Sequence, residues 1–194
     1  ASVGEELKTS AIYALGIGAF LIILYITFRF EFTFAVAAVA ALFHDLIIAV
    51  GVISLLGYEV DTPFIAAILT ILGYSINDTI VVFDRIRENL KRKNKTSFED
   101  CLNKSVNQVM IRSINTSVTT LFAIIAILVF GGDSLKTFIV TLLIGILAGT
   151  YSSVFIATPL VYFLDKNKKG PNKGLKSLGE EKKKESKNEE KILV

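Results

Sequence analysis

The sequence predicts an all-α membrane protein with five transmembrane helices. Hydrophobic residues make up 52% of its 194 residues, and its mean hydropathy is +0.57, which is too apolar for an ordinary soluble domain. The hydrophobic residues also fall into long runs separated by short polar segments. This pattern is typical of a membrane protein whose chain crosses the bilayer several times.

Five apolar runs are each long enough to span the hydrocarbon core, which takes about 20 helical residues. They cover about 10–28, 33–56, 63–83, 112–130 and 135–164. Pro63 suits the first turn of the third helix, and the pair Gly131-Gly132 is a turn signal that ends the fourth. These boundaries predict a transmembrane bundle over residues 10–164.

Three polar segments flank or interrupt the bundle. Residues 1–9 form a short polar start, and the Lys- and Glu-rich residues 165–194 predict a disordered tail. Within the long segment 84–111, a capping pattern begins at Ser97, followed by apolar residues at helical spacing: Phe98, Cys101, Leu102 and Val106. We expect this part to be an amphipathic helix lying at the membrane surface.

The positions of Lys and Arg predict the orientation of the chain. The chain has 21 Lys and Arg residues. The turn 29–32 has one of them, the segment 84–112 has eight and the tail has ten, and these three segments lie on the same side of the bilayer. The other side receives only Lys8 and Lys136. The positive-inside rule therefore places the start of this chain outside and its end in the cytoplasm. We expect a further span upstream, because five spans that start outside are unusual for a complete protein.

Several classes of site are disfavoured by composition. The chain has one Cys and one His, so we expect neither a disulfide framework nor a metal site. It has no phosphate-binding loop, no Ser-His-Asp arrangement and no aromatic-rich basic patch for nucleic acid. We therefore expect no cofactor, no nucleic-acid partner and no enzymatic activity.

Two charges interrupt the apolar runs: Asp78 in the third, and Arg112 at the start of the fourth. A charged residue at the centre of a membrane helix costs about 2.5–3.5 kcal/mol, so it usually faces a partner or water. Because the two helices run antiparallel, we expect Arg112 to reach the level of Asp78. Two interpretations remain open, a fixed ion pair that joins the helices and a protonatable carboxylate held beside an arginine; we favour the second.

Other polar residues lie at membrane depth. A small and polar stripe that includes Asn77 is expected on the third helix, and one that includes Asn115 or Thr116 on the fourth, facing each other. His44 and Asp45 lie near the middle of the second run, with no Lys or Arg at their depth. For His44 we favour a neutral imidazole bonded to backbone or hydroxyl groups over a proton relay. We expect Asp45 to be protonated, hydrogen-bonded or exposed to water.

Three motifs resemble a known family of membrane proteins. They are ALFHDLIIAVG at 41–51, GYSINDTIVVFDRIREN at 73–89 and NQVMIRSINTSVTTL at 107–121. Together they resemble the SecF family, one half of the SecD–SecF accessory of the bacterial Sec translocase. The resemblance runs in order from Val3 to about Leu164.

The resemblance implies a fold, partners and a role. SecF-like proteins belong to the resistance–nodulation–division superfamily, so the five spans would form half of such a helical bundle in the bacterial cytoplasmic membrane. Expected partners are a SecD-like subunit in a heterodimer, the Sec channel with its associated membrane subunits, and exported polypeptides. Proton flow through Asp78 and Arg112, and less directly His44 and Asp45, would drive late translocation. The family's first span and its outside domain are not in this sequence.

Two other functions compete with this one. An intramembrane aspartyl protease would use Asp45 and Asp78, because two carboxyls on adjacent helices can share a proton. A scaffold for Sec subunits would need no titratable group at all.

Overall fold

A computed structural model describes residues 2–91 and 97–166, and these residues are helical apart from short connections. The elements are α1 (Ser2–Arg29), α2 (Phe32–Leu55), α3 (Thr62–Lys91), α4 (Phe98–Phe130), a 3-10 turn (Asp133–Leu135), α5 (Lys136–Ser152), a π-helical segment (Ser153–Ala157) and α6 (Thr158–Lys166). The last three follow one another without a break.

Five helical stretches are long and apolar enough to cross a membrane: Ile12–Arg29, Phe32–Leu55, Thr62–Lys91, Phe98–Phe130 and Asp133–Asp165. The predicted all-α fold with five membrane-spanning helices is therefore confirmed. The first helix already begins at Ser2, within the segment expected to be a polar start. Apart from Asp165 and Lys166 in α6, the predicted charged tail 165–194 lies outside the described residues.

Local sequence signals account for most helix ends. The Ser97 hydroxyl accepts a hydrogen bond from the Asp100 backbone N–H at 3.1 Å, which confirms the predicted cap of α4. The Asp61 carboxylate accepts from the Phe64 N–H at 2.8 Å at the start of α3. Gly57, after α2, has a φ of 72°, a conformation that glycine adopts without steric cost.

The segment 84–111 differs from the prediction of a separate helix on the membrane surface. Its first part continues α3 and its second part is the beginning of α4, with no break at Arg112. At 1.5 Å per residue, both helices exceed the roughly 30 Å of a hydrocarbon core, so their polar ends extend beyond it. The apolar residues Phe98, Leu102 and Val106 pack into the same core cluster as the end of α3 and α6, instead of meeting lipid.

The core lies along α3 and α5, which pack closely against each other. A Cβ placed on Gly149 would lie 2.9 Å from the Ser75 Cβ, and one on Gly145 would lie 2.2 Å from the Ile71 side chain. Only glycine allows this approach. By contrast, α1 is peripheral, with 6% of its apolar window buried.

Candidate functional site

Asp78 lies on the buried face of α3, and its side chain is 5% exposed. Ser75, Thr79 and Val82 share this face and are also buried. The Oδ2 atom of Asp78 is buried without a hydrogen-bond partner among the described residues. Such an atom is rare in folded proteins and often marks a functional group.

Ser113 of α4 is the polar neighbour of this carboxyl. Its side chain is 2% exposed, and its Oγ atom also lacks a hydrogen-bond partner within the described part of the chain. The hydroxyl is close enough to act on the Asp78 carboxyl, although the geometry is not that of a hydrogen bond. The contact between α3 and α4 therefore encloses two polar groups that do not satisfy each other.

Arg112 does not form the predicted direct contact with Asp78. Its side chain is exposed, and no ion pair or hydrogen bond of its guanidinium is found among residues 2–91 and 97–166. It precedes Ser113 by one residue, which turns it about 100° around the helix from the buried face. The guanidinium is nevertheless near enough to act electrostatically on the Asp78 carboxyl.

Arg112 lines a polar groove of about 480 Å³ between the ends of α3 and α4. The groove is also lined by Val81, Asp84, Arg85, Glu88, Gln108 and Val109. Arg85 pairs with Glu88 at 2.5 Å and donates to the Gln108 side chain at 2.7 Å. Since Val81 follows Asp78 by less than one turn, the groove brings solvent within about one turn of the buried carboxyl.

The two polar stripes face outward instead of facing each other. Asn77 on α3 is exposed, as are Asn115 and Thr116 on α4. We call the exposed residues Thr70, Asn77, Asn115, Thr116 and Thr119 the outward polar stripes. The hydroxyls of Thr70, Thr116 and Thr119 donate to backbone carbonyls of their own helices. The amides of Asn77 and Asn115 need a protein or aqueous neighbour, because lipid tails offer no hydrogen-bond partner.

Asp45 is fully buried, with 0% exposure, and is hydrogen-bonded at both oxygens. Its Oδ2 accepts from the hydroxyl of Ser152 at 2.8 Å and from that of Ser75. Its Oδ1 lies 3.0 Å from His44 Nδ1. The expectation that His44 bonds to backbone or hydroxyl groups is therefore wrong: although successive residues diverge around a helix, both side chains bend far enough to meet.

The two aspartates have separate surroundings, since no hydrogen bond links them among the described residues. An aspartyl protease needs two carboxyls that share a proton. Asp45 is instead engaged by Ser75, Ser152 and His44, which disfavours that function.

The sequence argument did not single out Ser75, Ser113 and Ser152 as neighbours of the acids. Ser75 lies three residues before Asp78, and this spacing places both on one face of α3. Ser113 and Ser117 mark the buried face of α4 by their separation of four residues. Ser152 is 107 residues from Asp45, so no local pattern relates the two.

The profile of a known family, described as "Protein export membrane protein SecD/SecF, C-terminal", matches residues 1–167. The chain belongs to this family. The SecD/SecF match covers every residue of the site.

Individual relatives agree with this SecD/SecF assignment. The protein translocase subunit SecF of Sebaldella termitidis is 58% identical over 172 residues, which cover 88% of this chain and 56% of the relative. The protein translocase subunit SecDF of Thermus thermophilus is 48% identical over 160 residues, 82% of this chain and 22% of the relative. The chain thus spans about half the length of the curated SecF relatives that it matches.

A solved SecD/SecF structure has the same fold. The crystal structure of SecDF from Thermus thermophilus, described as a translocon-associated membrane protein, aligns with a TM-score of 0.82 at 46% identity. The alignment covers 86% of this chain and 23% of that chain. SecD-type and SecF-type sequences are therefore joined in one polypeptide in some relatives.

Proposed function

We propose that this chain is the membrane part of a SecF-type subunit of the Sec protein-export machinery, and that Asp78 takes up and releases the protons that power export. The main support is the contrast between two buried acids. Asp45 has partners for both oxygens, whereas Asp78 has an Oδ2 without a partner. A carboxyl oxygen without a donor can bind a proton without first breaking a hydrogen bond.

In the proposed proton transfer, Arg112 contacts Asp78 only while the Asp78 carboxyl is ionised. In this structure the guanidinium is exposed in the groove, and it acts on Asp78 only at a distance. A long arginine side chain can turn toward the carboxyl when the latter is ionised and return to the groove when it is protonated. A change of protonation is then linked to a change of conformation.

The polar groove supplies the cytoplasmic end of the proton path. Its charged lining keeps it hydrated, and it ends within about one turn of Asp78. The excess of Lys and Arg on this side supports the predicted orientation, with the start of the chain outside and its end in the cytoplasm.

A SecD-like subunit is the proposed cover for the outward polar stripes. Asn77, Asn115 and Thr116 are exposed in this chain alone, and hydrocarbon is a poor environment for the two asparagine amides. Relatives that join SecD-type and SecF-type sequences show that the two are made together. The Sec channel, its associated membrane subunits and exported polypeptides are further partners of the proposed complex.

Asp78→Asn tests the proton role, because asparagine has nearly the same shape but does not titrate. In the complete protein, assembled in its membrane, we expect normal complex formation and loss of the part of export that depends on the proton gradient. Export of a secreted reporter into membrane vesicles, with and without the gradient, measures this part.

Asp133→Asn is the matched control, because Asp133 is fully exposed at a turn. It should leave gradient-driven export unchanged. If Asp78→Asn also leaves it unchanged, the chain is a scaffold with respect to proton flow, and the proposed role of Asp78 is wrong.

A further inference from the structure

Asp45 joins three helices at one buried point. It lies on α2, and its Oδ2 accepts from Ser75 of α3 and from Ser152 of α5. Asp45, Ser75 and Ser152 are all at most 1% exposed. We call these three residues the Asp45 junction. It contains no Lys or Arg, so two serine hydroxyls replace the cation that usually accompanies a buried carboxylate.

The junction lies where α3 and α5 are closest. A Cβ on Gly149 would be 2.9 Å from the Ser75 Cβ and 3.3 Å from the Ser75 Cα. Immediately beyond Ser152 the helix widens into the π-helical segment Ser153–Ala157, a feature often found at functional sites. A change in the junction therefore alters the separation of the two central helices.

The junction is also linked to Asp78 through α3. Ser75 and Asp78 lie on one buried face, about 4.5 Å apart along the helix axis. The Thr79 hydroxyl, next to Asp78 in the chain, donates to the backbone carbonyl of Ser75 at 3.2 Å. A displacement of Ser75 is thus transmitted to the turn that carries Asp78.

We propose that Asp45 is a positioning residue: as a hydrogen-bond acceptor shared by Ser75 and Ser152, it fixes α3 against α5 and so places Asp78 for proton transfer. This inference rests on the proposed function of Asp78. It differs from a proton relay, because in a relay Asp45 itself must gain and lose a proton.

The chemistry of asparagine separates these two roles. In Asp45→Asn, the side-chain carbonyl can replace Oδ2 as the acceptor of both serine hydroxyls. The amide nitrogen then faces His44 Nδ1, which accepts a hydrogen bond when the imidazole carries its proton on Nε2. Every hydrogen bond of the junction is therefore retained without a titratable group at position 45.

The test compares Asp45→Asn with Asp45→Ala in the complete protein assembled in its membrane. We expect Asp45→Asn to keep the thermal unfolding midpoint and the gradient-driven export of the wild type. Asp45→Ala should lower the midpoint by several degrees and reduce gradient-driven export, per assembled complex, about tenfold or more, as small displacements of reacting groups do. The inference is overturned if Asp45→Asn abolishes gradient-driven export, or if Asp45→Ala changes neither quantity.

If Asp45→Ala does not assemble, a comparison of two serine substitutions still tests the inference. Ser152→Ala removes one donor to Asp45, whereas Ser153→Ala removes an equally buried hydroxyl that donates only to its own helix, at Thr150. We expect a lower midpoint and weaker gradient-driven export for Ser152→Ala than for Ser153→Ala. Equal effects of the two substitutions would contradict a junction role.

The export measured for Asp78→Asn tests the proposed function independently of the Asp45 variants. If Asp78→Asn keeps gradient-driven export, the proposed function fails whatever the Asp45 variants do. If Asp78→Asn loses it and Asp45→Asn loses it too, the proposed function stands and the positioning role of Asp45 is wrong.

Discussion

At the scale of single residues, hydrogen bonding distinguishes two aspartates that composition treats alike. Both lie in apolar helices and both are buried. Asp45 is bonded to two hydroxyls and an imidazole, whereas Asp78 faces a serine with which it makes no hydrogen bond. Removing the hydrogen-bonded carboxyl of Asp45 should therefore lower the stability of the fold. Removing the carboxyl of Asp78 should instead lower gradient-driven export.

Arg112→Gln should lower gradient-driven export without lowering the stability of the fold. The guanidinium is exposed and makes no ion pair or hydrogen bond within the described residues, so we expect the free energy of unfolding to change by less than about 0.5 kcal/mol. Gradient-driven export should fall to the level of Asp78→Asn. Thermal unfolding and vesicle export measure the two effects.

Arg29→Gln is the comparison for this substitution, since it removes the exposed ion pair between Arg29 and Asp84 at 2.9 Å. Such pairs contribute about 0.2–1 kcal/mol, and gradient-driven export should persist. Export that survives in Arg112→Gln would remove Arg112 from the mechanism.

The sequence identified the acids but not their surroundings. Asp45, Asp78 and Arg112 stand out because a charge in an apolar run is costly. The donors to Asp45 are serines, which occur throughout the membrane helices, and one of them is 107 residues away. Arg112 is exposed and the next residue, Ser113, is buried. The sequence pattern does not determine which of these two neighbours on α4 faces the bundle.

At the scale of helices, close packing of α3 on α5 determines where the buried acids lie. Gly149 faces Ser75, and a methyl group there would overlap the Ser75 Cβ. The run lengths predicted the helices, but not that α3 and α4 extend beyond the bilayer as paired helices. The polar ends of the two helices are bonded to each other, because Arg85 and Asn89 of α3 both donate to the side-chain oxygen of Gln108 on α4.

Gly149→Ala should force α3 and α5 apart. Because the nearest atoms are a Cβ and backbone, which cannot turn away, we expect a loss of about 1–3 kcal/mol in the free energy of unfolding. Gly51→Ala makes the same change in α2, where no atom lies within 4 Å, and should be neutral or slightly stabilising. Unfolding by denaturant in detergent gives both values, and similar values for the two variants would contradict the packing argument.

At the scale of the whole molecule, the exposed surface has two kinds of area. The α1 helix exposes large apolar residues such as Ile12, Phe20 and Phe28, which suit lipid. The outward polar stripes are not suited to contact with lipid. The stripes are the area that the proposed SecD-like subunit covers.

Cross-linking tests which area the SecD-like subunit covers. A cysteine in place of Thr116 should cross-link to that subunit in the assembled complex. A cysteine in place of Phe20, which is 63% exposed on α1, should instead react with a lipid-soluble reagent. Both variants need Cys101→Ala, which removes the native thiol. Cross-linking from position 20 but not from position 116 would place the interface elsewhere.

The long separation between Asp45 and Ser152 has a consequence for biogenesis. The chain leaves the ribosome from its N-terminal end, and Ser152 follows Asp45 by 107 residues. At about 5–20 residues per second, roughly 5–20 s pass before Ser152 is even synthesised. During that interval the newborn α2 carries an acid whose final partners are incomplete, so the Asp45 junction closes only after α5 has been made.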